Sequence, residues 1–240
     1  MEFTRTWTGN WENAFHGLRH PLESYNRSDS TFGFCECLED EDVVIKENNN
    51  IYEAITLGEK DLDLAQRMIK AGTPNDKFLR QIFVSVDITA PLYLWKELDT
   101  YKVGTTANST STMHKLASTP ITMDCFEMDD VPDIHLEVSY DWYGDGSLST
   151  QSIINEPSVF IRYLEGLRQK YLATKDIRYW KELIRWLPES WLQTRAWSAN
   201  YSILRNIYHW RKDHKLSEWH QFCDWIKTLP YAEDLIVFNN

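Results

Sequence analysis

The chain has 240 residues, of which 42% are hydrophobic and 14% aromatic, and it carries a formal net charge of -11. This composition suits a protein with a large buried core and excludes a disordered chain. The acidic charge argues against a nucleic-acid polymer or an anionic membrane surface as a partner, because either would need a basic face. A single nucleotide stays compatible, since one or two local arginines suffice to hold a phosphate.

We expect neither a membrane segment nor a metal site. No apolar run approaches about 18 residues, and the N-terminal residues lack the apolar core of a signal peptide, which predicts a cytoplasmic protein. His209 and His214 have no acidic partner in the sequence pattern, which predicts surface histidines rather than metal ligands. The cysteines predict reduced thiols, because they form neither paired zinc-ligand spacings nor a disulfide framework. They are Cys35, Cys37, Cys125 and Cys223.

The N-terminal part begins with a short helix and a polar connection. Asn10 can cap a helix over residues 11–19. The hydroxyl-rich residues 20–30 predict a solvated connection, and a phosphate-binding role for Arg19 and Arg27 is the alternative. Strands are expected at 31–38 and 43–46, with turns at 39–42 and 48–50.

Two later segments have clear periodicity. Residues 61–71 predict an amphipathic helix that Gly72 closes. Residues 78–88 predict a half-buried strand, because apolar residues alternate with others along it. The apolar set is Ile82, Val84, Val86 and Ile88.

After this strand, Pro91 predicts the first turn of a helix that runs to Tyr101. Residues 103–112, VGTTANSTST, predict either a ligand loop or a flexible connector. The later chain is mostly helical, with one strand at 134–140, a turn at 143–146, and helices at 157–173, 176–186 and 216–229. Strands early and helices late predict one compact α+β domain over residues 1–240.

The residues that follow Pro188, down to Lys212, predict one long helix, because this run contains no Gly and no Pro. On such a helix Asn200 and Arg211 would share a face with Leu204 and Ile207, about 16 Å apart. An amide and a guanidinium on one stripe suit a long, polar, anionic ligand. The alternative is a core helix with these polar residues at its rim.

Two stretches resemble the flavin-dependent thymidylate synthases. Phe78 to Leu116 is similar to the strand, Ala-Pro and helix that precede the signature R-H-R-x-x-S-x-N-E-x-S-x-R-Y. Residues 186–211 resemble the pattern L-P…W-x-x-N-x-R-x-L-x-x-F-x-x-L-R. The residues in register are Leu187, Pro188, Trp197, Asn200, Leu204, Asn206 and Arg211. Residues 78–230 carry the likeness, and 1–77 match weakly.

The resemblance implies a fold, an assembly and roles for several residues. It implies an α+β domain with an antiparallel or mixed sheet and long helices, in a homotetramer with sites between subunits. Arg211 matches an arginine that contacts and polarises the uracil of dUMP, and Asn200 and Asn206 match flavin contacts. Ser202 stands where the family has another flavin-binding arginine. The family has a second dUMP-binding arginine before the Leu-Pro, and Arg185 is the nearest candidate for it in this sequence.

The signature loop differs from the family pattern. R-H-R corresponds to Thr100, Tyr101 and Lys102. The rest corresponds to neutral residues, namely Thr105, Thr106, Ala107, Asn108, Ser109, Thr110, Ser111 and Thr112. The candidate substrate contacts here are Lys102, Thr105, Asn108, Thr110 and Thr112. A lysine cannot make the forked contact of an arginine, and each lost charged hydrogen bond removes roughly 1.5–3 kcal/mol.

Two functions follow from the resemblance. The first is methylation of dUMP or a related pyrimidine nucleotide, with FAD, methylene-tetrahydrofolate and NADPH, in which Arg211 stabilises charge on the ring. The second is a non-catalytic protein that binds a nucleotide or nucleotide signal, as a regulator or a sequestering agent. A third interpretation gives these residues only helix-packing roles. The sequence favours a nucleotide-binding protein and leaves catalysis open.

Overall fold

A computed structural model describes most of the chain in two compact units. The backbone is described for residues 1–33, 44–46, 50–52, 54–128, 135–140, 149–154 and 157–238, and the side chains for 1–33, 54–128 and 159–238. The first unit comprises Met1–Ala90, Leu94–Ser109 and Thr194–Asn240, and the second comprises Pro91–Tyr93 and Thr110–Gln193. The single domain expected over residues 1–240 stays a prediction.

A mixed sheet contains the strands β1 (Glu2–Gly9), β3 (Val44–Lys46), β4 (Asn50–Tyr52), β6 (Phe83–Pro91), β7 (Thr106–Ser109) and β10 (Leu192–Asn200). These six described strands have the order β3-β4-β1-β6-β10-β7. β1 runs parallel to β4 and antiparallel to β6, and β10 runs antiparallel to β7. A separate short pair joins β2 (Thr31–Phe32) to β5 (Ile55–Thr56).

The α-helices described in the first unit are α1 (Trp11–Arg19), α2 (Glu59–Ala71), α7 (Tyr201–Arg211) and α8 (Ser217–Lys227). Helix α3 (Leu92–Leu98) belongs to this unit from Leu94 onward. A 3-10 helix at Asn75–Gln81 precedes β6, and a π-helix at Glu233–Val237 follows α8. The predicted helices over 11–19 and 61–71 are confirmed, and Gly72 ends α2 with φ 67°.

β6 shows the alternation that the sequence predicts. Val84, Val86 and Ile88 are each at most 1% exposed, while Phe83 is 46% exposed. The strand starts later than predicted, since the segment before it is the 3-10 helix. Pro91 ends this strand instead of starting a helix, and α3 ends at Leu98 rather than at Tyr101.

The single helix predicted after Pro188, down to Lys212, is wrong. Residues 192–200 form β10, and only 201–211 form α7. Trp197 and Ala199 are buried while Ala196 and Ser198 are exposed, which is the period of two of a strand. The absence of Gly and Pro permits either element, and pairing with β7 and packing decide for the strand.

The described residues of the second unit form a hairpin, the 3-10 helix Met123–Cys125 and three α-helices. β8 (His135–Tyr140) pairs antiparallel with β9 (Ser149–Ile154), and the helices are α4 (Thr112–Lys115), α5 (Pro157–Thr174) and α6 (Ile177–Arg185). The strand at 134–140 and the helices at 157–173 and 176–186 are thereby confirmed. The core comprises Leu116, Ile121, Phe126, Ile161, Leu164 and Leu183.

Some segments differ from the prediction, and some predicted elements lie outside the described residues. β1 was not predicted, and the expected loop 103–112 contains β7. The turns at 39–42 and 143–146, with Cys35 and Cys37, lie outside the described residues, as does most of the turn at 48–50. Cys125 and Cys223 are free thiols. In the part of the chain that the structure describes, no helix is long and apolar enough to cross a membrane. The expected α+β class is confirmed.

Candidate functional site

The first unit contains a cleft of about 650 Å³ at the start of α7. One wall is α7, a second is the 3-10 helix Asn75–Gln81 with Thr73 before it, and a third is the turn that follows α3. The lining residues are Thr73, Asp76, Arg80, Val103, Gly104, Asn200, Ser202, Ile203, Arg205, Asn206 and His209.

Helix α7 divides its residues between the core and this cleft. Tyr201, Leu204, Ile207 and Tyr208 are buried. The residues that line the cleft from the next stripe of the helix are Ser202, Arg205, Asn206 and His209, at steps of three, one and three. The stripe with Leu204 and Ile207, which was predicted to face the ligand, is therefore the core-facing one.

Asn200 is the N-cap of α7 rather than a residue within the helix. Its Oδ1 accepts a hydrogen bond from the Ile203 N–H at 3.1 Å, which satisfies one donor of the first turn. This bond fixes the Asn200 amide at the N-terminus of α7, where it lines the cleft.

Two arginines and one aspartate give the cleft a local excess of positive charge. Arg80 is exposed and forms no ion pair with any described residue. Arg205 Nη1 donates to the carbonyls of Ile236 at 2.8 Å and Phe238 at 2.6 Å. Burial lowers the pKa of Arg205, and the nearby Asp76 carboxylate opposes that shift. In a chain of net charge -11 this excess favours an anionic ligand.

His209 adds an imidazole to the cleft. Burial lowers its pKa, and the adjacent Arg205 guanidinium lowers it further. A hydrogen bond with the Ile236 backbone acts in the opposite direction. Its Nε2 is buried and has no hydrogen-bond partner among the described residues.

The turn after α3 is packed against α7. Thr105 Oγ1 donates to the Tyr101 carbonyl at 2.7 Å, and the Thr105 N–H donates to the Lys102 carbonyl at 3.4 Å. Gly104 has φ 78°, and a Cβ built on it would lie 2.8 Å from Ile203 Cδ1. The positive φ strains any residue with a side chain, which explains glycine at this position.

Arg211 lies outside the residues that line the cleft. Its Nε donates to the Tyr101 hydroxyl at 2.9 Å, and its Nη2 lies 3.1 Å from Glu97 Oε2. The guanidinium carbon is 4.6 Å from the centre of the Trp219 ring. The side chain is 18% exposed. These contacts occupy the guanidinium on several sides.

Comparison with known proteins identifies the fold. No family model and no curated protein matches the sequence. A structure of ThyX from Helicobacter pylori with FAD and dUMP matches with a TM-score of 0.64 at 17% identity, over 98% of this chain and 97% of that one. A second structure of flavin-dependent thymidylate synthase ThyX from H. pylori, also with FAD and dUMP, gives 0.61 at 16% identity over 98% of both chains. The chain has the ThyX fold.

On this ThyX fold the residues predicted from the resemblance divide into two sets. Asn200, Ser202 and Asn206 all line the cleft. Thr105 supports the cleft turn, and Lys102 is an exposed member of it. The structure therefore brings together the three residues predicted as cofactor contacts, Asn200, Ser202 and Asn206.

The remaining predicted residues do not line the cleft. Asn108 is exposed on β7, paired with Ala196 of β10. Thr110, Thr112 and Arg185 belong to the second unit, where Gln193 donates to the Thr110 carbonyl and Arg185 pairs with Glu182 at 3.0 Å. Their substrate-binding roles stay predictions.

Several cleft residues were not predicted from the sequence, although two of them lie at a helical spacing that could have indicated them. Arg205 and His209 follow Ser202 at helical steps and could have been found from the spacing of α7. Arg80 comes from a distant 3-10 helix and carries no local signal. Within the described residues, no group of three or more His, Cys, Asp or Glu side chains could hold a metal ion.

Proposed function

We propose that this protein binds a nucleotide in the cleft at the start of α7, as a diverged thymidylate-synthase-like protein. One observation carries the proposal. Asn200, Ser202 and Asn206, assigned to the cofactor by resemblance alone, line one cleft together with the two arginines Arg80 and Arg205. Guanidinium groups suit phosphates, and amides and hydroxyls suit the polar edges of a base or flavin ring.

The donor set of the cleft fits FAD. Arg80 would hold a phosphate, and Ser202 and Asn206 would bind polar atoms of the ligand. Val103 and Ile203 offer apolar surface to a flat ring. Both H. pylori structures contain FAD and dUMP, which supports a ligand of this class on the same fold. A bound reduced flavin supplies a hydride, which is the chemistry that reductive methylation of dUMP needs.

Catalysis would also need methylene-tetrahydrofolate, NADPH and a nucleotide next to the flavin. Arg211 is the candidate residue for stabilising the charge that develops on the pyrimidine ring. The non-catalytic alternative is a regulatory or sequestering protein. Two observations favour the alternative. The signature loop has neutral Asn108 and Thr112 where the family pattern has a glutamate and an arginine, and Arg211 is held by Glu97 and Tyr101.

Binding can be tested by titrating the purified protein with FAD and, separately, with dUMP by calorimetry. Asn206→Ala should weaken binding about threefold to tenfold, the range expected for one lost hydrogen bond. Trp210→Ala is the matched control, because Trp210 is 76% exposed on the same helix and does not line the cleft. Wild-type protein that binds neither ligand would refute the proposal.

Turnover separates the two functions. Wild-type protein with FAD, NADPH, methylene-tetrahydrofolate and dUMP should form dTMP if it is an enzyme. Binding of FAD or dUMP without dTMP formation supports the regulatory or sequestering alternative.

We also propose a homotetramer, as the resemblance implies. The sequence pattern adds a single domain over residues 1–240 and a cytoplasmic location to this proposal. Sedimentation analysis tests the assembly directly. A strict monomer at micromolar concentration would contradict it.

A further inference from the structure

Arg211 and the cleft are joined by a continuous set of contacts. The guanidinium of Arg211 donates to the Tyr101 hydroxyl at 2.9 Å and pairs with Glu97 at 3.1 Å. It also lies over the buried Trp219 ring of α8, 4.6 Å from its centre. A planar guanidinium satisfies all three contacts at once, whereas an ammonium would not.

Tyr101 is the residue from which the cleft turn begins. Its carbonyl accepts the Thr105 hydroxyl at 2.7 Å, which closes the turn. Within that turn Val103 and Gly104 line the cleft, and Gly104 packs against Ile203 of α7. Tyr101 therefore contacts Arg211 through its side-chain hydroxyl and the cleft turn through its backbone carbonyl.

We propose that Arg211 is a positioning residue: by holding Tyr101, it fixes the turn 102–105 against α7 and so sets the shape of the nucleotide cleft. The inference rests on the proposed function for its ligand, but its structural part can be tested without one. It differs from a direct contact between Arg211 and a pyrimidine ring, because the effect on the ligand would pass through Tyr101.

The first test is hydrogen exchange of the ligand-free protein, measured on a peptide that covers the turn. Tyr101→Phe removes the hydroxyl that Arg211 binds, and Arg211→Lys keeps the charge but loses the planar fork. Both variants should speed exchange at Gly104 and Thr105 at least threefold. Lys212→Ala, which removes the neighbouring exposed cation, should leave exchange unchanged. Wild-type exchange in both test variants would overturn the proposal.

The second test is a double-mutant cycle read out by FAD titration. Tyr101→Phe and Arg211→Lys should each weaken FAD binding about threefold to tenfold. Because both variants break the same contact, the double variant should bind FAD no more weakly than the single variant with the lower affinity. A Tyr101→Phe variant that binds like wild type, beside a weakened Arg211→Lys, would indicate direct contact and overturn the proposal. Circular dichroism and the Tm of each variant show whether it is folded.

The two proposals fail in different ways. If wild-type protein binds neither FAD nor dUMP, the proposed function fails, and the exchange experiment still decides the role of Arg211. If wild-type protein binds and the exchange of the turn does not depend on Tyr101 or Arg211, only the positioning role is wrong.

Discussion

Gly104 and Ile203 approach each other so closely that a Cβ on Gly104 would lie 2.8 Å from Ile203 Cδ1. Gly104 also has φ 78°, a backbone conformation that residues with a side chain rarely adopt. The start of the hydroxyl-rich segment after α3 therefore packs against α7, and Val103 and Gly104 line the cleft. The choice between a ligand loop and a flexible connector for residues 103–112 stays a prediction.

Gly104→Ala should disturb both stability and binding. The positive φ and the contact with Ile203 together should cost about 1–3 kcal/mol in the free energy of unfolding, and the displaced turn should weaken FAD binding. Denaturant unfolding and calorimetry measure these effects. Gly166→Ala in α5 is the control, because a Cβ there meets nothing within 4 Å, and it should stabilise by roughly 0.5–1 kcal/mol. Equal stability of Gly104→Ala and wild type would contradict this account.

The buried ion pair of Arg19 and Asp61 should be essential for folding. Asp61 is fully buried and accepts from Arg19 Nε and from the hydroxyls of Ser28 and Ser30, each at 2.6 Å. Asp61→Asn leaves a buried guanidinium without its counter-charge, so unfolding should become easier by about 3–5 kcal/mol. Arg19 is thus occupied within the fold, which argues against its alternative role as a phosphate ligand.

Asp63→Asn is the matched control for this prediction. Asp63 is also on α2 and pairs with Arg67 at 2.9 Å, but both side chains are more than 60% exposed, at 66% and 61%. Its loss should change the free energy of unfolding by no more than about 0.5 kcal/mol. Similar losses in the two variants would show that burial does not determine the contribution of the Asp61 pair.

The parts of the fold that the sequence predicted are those with a local period. The alternation of β6 and the amphipathic pattern of α2 depend on neighbours in the chain, and both were found. Residues 192–200 carry no Gly or Pro and suit a helix as well as a strand. Their conformation depends on pairing with β7, whose residues lie more than 80 positions earlier, at 106–109. Such long-range pairing leaves no local pattern to read.

The candidate site was also predicted only in part, because some of its contacts are long-range in sequence. Asn200 and Asn206 came from the resemblance, yet the face of α7 assigned to the ligand was wrong, because Asn200 is a cap and not a helical position. Arg80 reaches the same cleft from a segment far away in sequence. Its contribution depends on how α7 packs on the 3-10 helix, which residue spacing alone does not encode.

The two described cysteines should differ in reactivity. Burial raises the pKa of Cys223 to about 11, so roughly one thiol in a thousand is ionised at pH 8. Cys125 is partly exposed. Iodoacetamide at pH 8, followed by peptide mass spectrometry, should label Cys125 in the native protein and leave Cys223 unmodified. Guanidinium-unfolded protein, in which both should react, is the control, and native labelling of Cys223 at the Cys125 rate would contradict the prediction.

Glu165 should make the stability of the protein sensitive to acid. Its carboxylate accepts two hydrogen bonds of 2.7 Å from Arg168 and one of 2.8 Å from the Ile121 N–H. The Arg168 bonds, opposed by burial, lower the pKa of Glu165 to about 2 from an ordinary value of 4.5. Because the folded pKa is the lower one, the unfolded chain binds the proton first. The stabilisation is therefore complete above pH 4.5 and is lost as the pH falls to about 2.

Glu165→Gln tests this pH dependence directly. At pH 7 the variant should lose roughly 1.5–3 kcal/mol in the free energy of unfolding, because it removes charged hydrogen bonds to Arg168. The difference from wild type should shrink between pH 4.5 and pH 2, where the wild-type carboxylate becomes protonated. Denaturant unfolding at several pH values measures it, and the wild-type curve is the internal reference. A difference that stays constant down to pH 2 would mean that the Glu165 carboxylate does not carry this part of the stability.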